Sequence, residues 1–121
     1  MKSLTDQELD KLLCLESSQT YNASVSFRAD DRRSYCFSTG HYIDAVIEAN
    51  NDQRPGAPAQ RLTLRFTSGE VMILGSGLER IEDRLAEGHL RGVKAVEPRY
   101  ASLLKFGPVV LSITVQRKEE L

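Results

Sequence analysis

Residues 61–74 constrain the fold more than any other stretch. In Arg61-Leu62-Thr63-Leu64-Arg65-Phe66-Thr67, apolar and polar side chains alternate without a fault. A period of two is that of a strand with one buried face, so Leu62, Leu64 and Phe66 point inward and Arg61, Thr63, Arg65 and Thr67 outward. Ser68-Gly69 then turns the chain into Glu70-Val71-Met72-Ile73-Leu74, which is apolar on both faces and reads as a central strand. Two strands joined so tightly must pair antiparallel. The rest of the chain has to complete that sheet.

The same alternation recurs on both sides. Ala23, Val25, Phe27 and Ala29 face one way, against Ser24, Ser26 and Arg28. Asp30-Asp31-Arg32 forms a polar turn, and Arg33-Ser34-Tyr35-Cys36-Phe37-Ser38 returns. After Gly40, the residues Ile43, Ala45 and Ile47 alternate with Asp44 and Glu48. Residues 50–60, rich in Asn, Pro and Gly, form a flexible hairpin loop. Residues 89–97 read as a further strand, and Val109, Leu111, Ile113 and Val115 share one face of the last. Residues 117–121 are a charged tail.

Helical spacing occurs three times. Thr5 and Glu8 form a capping box for an N-terminal helix that carries Leu9, Leu12 and Leu13 and ends near Ser17. Leu78, Ile81 and Leu85 define a helix near 76–87, with Gly88 as its C-cap. A short helix near 98–105 follows Pro98. The fold class is therefore α+β: a single globular domain, 1–121, with a mainly antiparallel sheet of five to seven strands and these three helices.

Composition supports a core and excludes several functions. Apolar residues make up 40% of the 121 and charged residues 27%, a balance found in globular rather than disordered chains. The longest apolar run is Val71–Leu74, against the roughly 20 residues of a membrane helix. The N-terminus lacks the apolar centre of a secretion signal, so a cytoplasmic location and no membrane partner are expected. Residues 1–60 sum to −3 and residues 61–121 to +2, too mild an asymmetry to imply nucleic acid alone. Cys14 and Cys36 read as buried, reduced thiols. They stand apart from His41 and His89, so no metal and no cofactor are expected.

The stretch around Gly75-Ser76-Gly77 invites comparison with phosphate-binding loops. The dinucleotide fingerprint requires a third glycine where Arg80 stands, and no Gly-Lys-Ser/Thr follows. A second capping box fits better, with Ser76 as N-cap and Glu79 three residues on. The alternative is an anion site at the helix start, formed by Ser76, Gly77, Arg80 and Arg84. Arg61 and Arg65, on one strand face, are the candidates for nucleic-acid contact. Glu79, Glu82, Asp83 and Glu87 are interleaved with Arg80 and Arg84 and offset them. His41, Asp44, Glu48, His89 and Cys36 form no recognised catalytic constellation. The expected function is thus a non-catalytic protein-binding or assembly module, a homodimer being the simplest form. The last strand, 109–116, is the expected pairing edge. The alternative is a nucleic-acid or anionic-ligand binding domain using Arg61, Arg65, Arg80 and Arg84.

Overall fold

The computed structural model describes residues 14–17, 20–51, 54, 57–96 and 108–118. In chain order the elements are β1 (Leu15–Ser17), β2 (Ser24–Arg28), β3 (Ser34–Ser38), a 3-10 turn (Thr39–His41) and β4 (Tyr42–Ala49). There follow β5 (Gln60–Phe66), β6 (Gly69–Ser76), α1 (Glu79–Ala86), β7 (Leu90–Val93) and β8 (Val109–Arg117). The strands form two four-stranded sheets, ordered β1-β7-β2-β3 and β4-β5-β6-β8. The described residues thus hold eight strands in two sheets, against the five to seven expected, and one α-helix.

The β5–β6 hairpin forms as its alternation requires, pairing Leu62 with Ile73 and Leu64 with Val71. Those four side chains are fully buried, and β6 lies between β5 and β8. The β2–β3 hairpin buries Val25, Phe27, Tyr35 and Phe37. Its turn holds Arg32 at a φ of 69°, while Asp31 accepts from the Arg33 amide at 2.9 Å and the Tyr35 hydroxyl at 2.7 Å.

Three phenylalanines join the sheets. Phe37 stacks on Phe66 across the core at 4.6 Å, and Phe27 meets both edge-on at 6.1 Å. Burial of each such ring contributes about 1.5–3 kcal/mol. Leu78 at the N-cap of α1, Ile81 and Leu85 within it, and Val110 and Ile113 of β8 belong to the same buried cluster. The helix ends in a Schellman arrangement: Gly88 N–H donates to Leu85 and His89 N–H to Arg84. Gly88 has a φ of 77°, and a Cβ there would fall 2.3 Å from the Tyr21 ring.

Several expectations are corrected. Residues 15–17 are a strand paired with β7, so no helix extends to Ser17; residues 1–13 of that helix, and the helix near 98–105, lie outside the described residues. Arg117 belongs to β8 rather than to a tail, and its guanidinium lies 5.4 Å from the Tyr35 ring centre and 5.8 Å from that of Phe37. Val109 and Leu111 do not share a face with Ile113 and Val115 in simple alternation. A bulge opposite Leu74/Gly75 makes Leu111 an extra residue, so that Val110 and Ile113, three apart, both reach the core. Gly75 permits this crossing, since a Cβ there would fall 2.0 Å from the Val109 carbonyl oxygen. A second bulge, at Tyr42/Asp44, gives the inward place to Tyr42 and leaves Ile43 exposed. Cys14 is buried as expected, but Cys36 is exposed.

Candidate functional site

The turn at 75–80 is tied down by a residue from another strand. Helix α1 begins at Glu79, and no side chain of the preceding turn caps it. Ser76 is the exposed last residue of β6, and Gly77 carries a φ of 65°. The Leu78 amide instead donates to Gln60 Oε1 at 3.0 Å, and Gln60 Nε2 donates to Glu79 Oε1 at 2.6 Å. Gln60 therefore performs the cap reciprocally, and the Ser76 capping box does not form. The Gln60 bond holds the Glu79 carboxyl below the usual glutamate range. Further along the helix, Tyr42 donates its hydroxyl to Glu82 Oε1 at 3.0 Å. Burial, and then that bond, push the Tyr42 hydroxyl well above the ordinary tyrosine range.

The four arginines singled out in the sequence divide between two surfaces. Arg61 and Arg65 lie on the side of their sheet away from the core, paired across to β4: Arg61 with Glu48 at 2.8 Å, and Arg65 through two nitrogens with Asp44. The Arg65 guanidinium holds the Asp44 carboxyl below its usual range. Arg80 and Arg84 are exposed on α1, whose Leu78, Ile81 and Leu85 belong to the core on the sheet's other face. Ser76 and Gly77 precede the helix start, where β6 runs beside the beginning of β5.

The two edges of the β4-β5-β6-β8 sheet differ sharply. On β8 the Val110 amide donates to Cys14 Sγ at 3.3 Å, and its carbonyl accepts from Val96 at 2.8 Å. Asp30 clamps the next outward position: its amide donates to the Ile113 carbonyl at 2.9 Å and its Oδ1 accepts from the Ile113 amide at 3.0 Å. Its other oxygen accepts from Ser112 Oγ at 2.6 Å. The expected pairing edge, 109–116, is thus occupied by the chain's own groups over Val110–Ile113.

β4 is the contrasting case, eight residues long and, among the described strands, bonded only to β5. Asn50 N–H donates to Ala59 at 2.9 Å, and alternation from there turns the backbone groups of Val46 and Glu48 toward β5 and those of Ala45, Ile47 and Ala49 outward. Among the described residues, nothing bonds to that outward row. Ile43, Val46 and Ile47 are 56, 46 and 36% exposed, and Met72, two strands away on the outer face, is 39% exposed. Asp44 and Glu48 are the charges that would guard this edge, and both are drawn sideways onto the arginines of β5.

The other sheet carries a cleft of about 500 Å³ that no motif in the sequence marks. β7 runs between β1 and β2 and presents Gly92 opposite Glu16 on one side and Ser26 on the other. With no side chain at Gly92, the neighbouring side chains stand as walls. Glu16, Ser26, Arg28, Ser34 and Lys94 supply the polar lining, while Leu15 and Val93, which border it, turn their side chains to the core. The available signal was a glycine inside a strand, which marks close approach to another group.

No three His, Cys, Asp or Glu side chains gather to hold a metal among the described residues, and no described helix is long and apolar enough to cross a membrane. Comparison of the chain with protein families, curated proteins and solved structures finds no match.

Proposed function

We propose that this protein is a non-catalytic assembly module that pairs with a second copy of itself along β4. The observation that carries the reading is the eight-residue edge, unpaired on its outer side among the described residues, flanked by exposed Ile43, Val46 and Ile47, with its acidic side chains neutralised from the next strand. An unpaired edge of this length is a template for another strand. Antiparallel pairing about a two-fold axis at Ile47 sets Ile47 against Ile47 of the second copy and Ala45 against Ala49. The outward groups of those residues then form about six hydrogen bonds, two for each of three facing pairs. This register also opposes Asp44 to Asn50 and Val46 to Glu48, so no like charges face each other directly. Shifting it by two residues would set Asp44 against Glu48.

The nucleic-acid alternative draws on Arg61 and Arg65, and phosphate would have to displace Glu48 and Asp44 from them. That cost favours the protein-binding reading.

Sedimentation of the purified chain over a wide concentration range tests the proposal. A species of twice the 13.5 kDa chain mass is expected, with Ile47→Lys returning it to monomer by placing two ammonium groups at the axis. Val46→Lys, at a 46% exposed position, serves as a second variant. A monomer at every concentration, or dimers unchanged in both variants, would overturn it.

A further inference from the structure

We propose that the cleft over Gly92 binds a small organic anion, with its phosphoryl or carboxylate head held by Arg28 and Lys94. Both cations line the cleft, both are exposed, and neither forms an ion pair among the described residues. The acid of the lining, Glu16, lies with one carboxylate oxygen over Gly92 and the other 3.8 Å from Arg91. The lining therefore carries two cations against one carboxylate, and that carboxylate is shared with Arg91. Ser26 on β2 and Ser34 on β3 add hydroxyl donors beside Arg28, which suits a head with several oxygens. Arg28 provides a planar fork for two of those oxygens and Lys94 a point charge for a third.

The rest of the cleft sets the size of the ligand. About 500 Å³ exceeds what an inorganic ion fills and falls within the range of small-molecule sites. Gly92, without a side chain, leaves the organic part room to lie over the sheet beside the exposed Glu16. A macromolecular chain is the poorer fit, because the cations stand at one short cleft rather than in a stripe. The cleft belongs to the β1-β7-β2-β3 sheet, so this inference does not depend on pairing through β4.

Amide-resolved NMR titration of the full chain tests the proposal with two probes, glycerol 3-phosphate and succinate. At least one should produce saturable shifts at Ser26, Gly92 and Lys94, half-complete at about 1 mM or below. A response to the phosphate ester alone assigns a phosphoryl head; a response to succinate alone assigns a carboxylate. Arg28→Gln and Lys94→Gln should each weaken binding roughly tenfold or more, as loss of a charge-assisted bond does. Gly92→Val should block it by filling the floor, while Ile47→Lys should bind normally. The proposal fails if neither probe gives saturable shifts up to about 10 mM. It fails equally if the shifts persist when Arg28 and Lys94 are both replaced.

Discussion

Replacing Gln60 with Ala removes the tie between β5 and the start of α1 while leaving Ser76 untouched. Gln60 satisfies the Leu78 amide, one of the orphan donors of the helix start, and its own amide is satisfied by Glu79. Loss of a capping acceptor costs about 0.5–2 kcal/mol. The second bond, to an exposed carboxylate, adds little after solvent screening. Gln60→Ala should therefore destabilise by about 1–2 kcal/mol, lowering the melting temperature by roughly 3–10 °C. Ser76→Ala, at an exposed residue without a capping bond, should stay within about 0.5 kcal/mol of the parent. Equilibrium urea unfolding of both variants measures the difference directly. The pH dependence adds a second check. Because Gln60 lowers the folded-state pKa of Glu79, its contribution is present above the ordinary glutamate value of about 4.3 and is lost as pH falls through the folded value. The gap between the parent and Gln60→Ala should narrow in acid. If Ser76→Ala proved as costly as Gln60→Ala, the cross-strand cap would be refuted.

Thiol reagents should modify exposed Cys36 in the folded protein and buried Cys14 only on unfolding; two rapidly labelled thiols would contradict the burial of Cys14. Asp30→Ala should cost about 1–3 kcal/mol by stranding the Ile113 amide. Urea unfolding reads the loss, while the Val110 bonds and the backbone bond from residue 30 to Ile113 keep the β8 edge occupied, so sedimentation should show no new assemblies. Tyr42→Phe should cost about 0.5–1.5 kcal/mol at neutral pH by deleting the bond to Glu82. Since the folded-state pKa of Tyr42 is raised, its contribution persists below the ordinary tyrosine value of about 10 and is lost as pH rises toward the folded value. Alkaline absorbance titration should lose late-ionising amplitude in that variant.

Local patterns survived folding where the contacts that decide them are local. Leu62, Leu64 and Phe66 took the core face because a period of two leaves no other face to bury, and Leu78, Ile81 and Leu85 did so for the helix. The errors have a common origin in partners distant along the chain. Ser76 had the composition of a cap, but Gln60, sixteen residues earlier, occupies the amide. Leu111 and Ile43 fitted an alternating face until bulges displaced them, and a bulge is visible only against its partner strand. Arg61 and Arg65 looked like free cations because cross-strand pairing with Glu48 and Asp44 follows from register, which the intervening loop conceals. The β1-β7-β2 arrangement, with β7 antiparallel to one neighbour and parallel to the other, requires the chain to return to its first strands after α1. No periodicity encodes that return, so the cleft over Gly92 was not legible either.

Hydrogen exchange of the amides of β4, followed as protein concentration is raised, tests pairing along this edge most directly. Ala45, Ile47 and Ala49 carry the outward N–H groups, whereas Val46 and Glu48 are already bonded to β5. Protection at the outward three should grow with concentration while Val46 and Glu48 remain protected throughout. Ile47→Lys should abolish the growth at Ala45 and Ala49. Fast exchange of Ala45, Ile47 and Ala49 at every concentration would show that β4 is an edge no second copy covers.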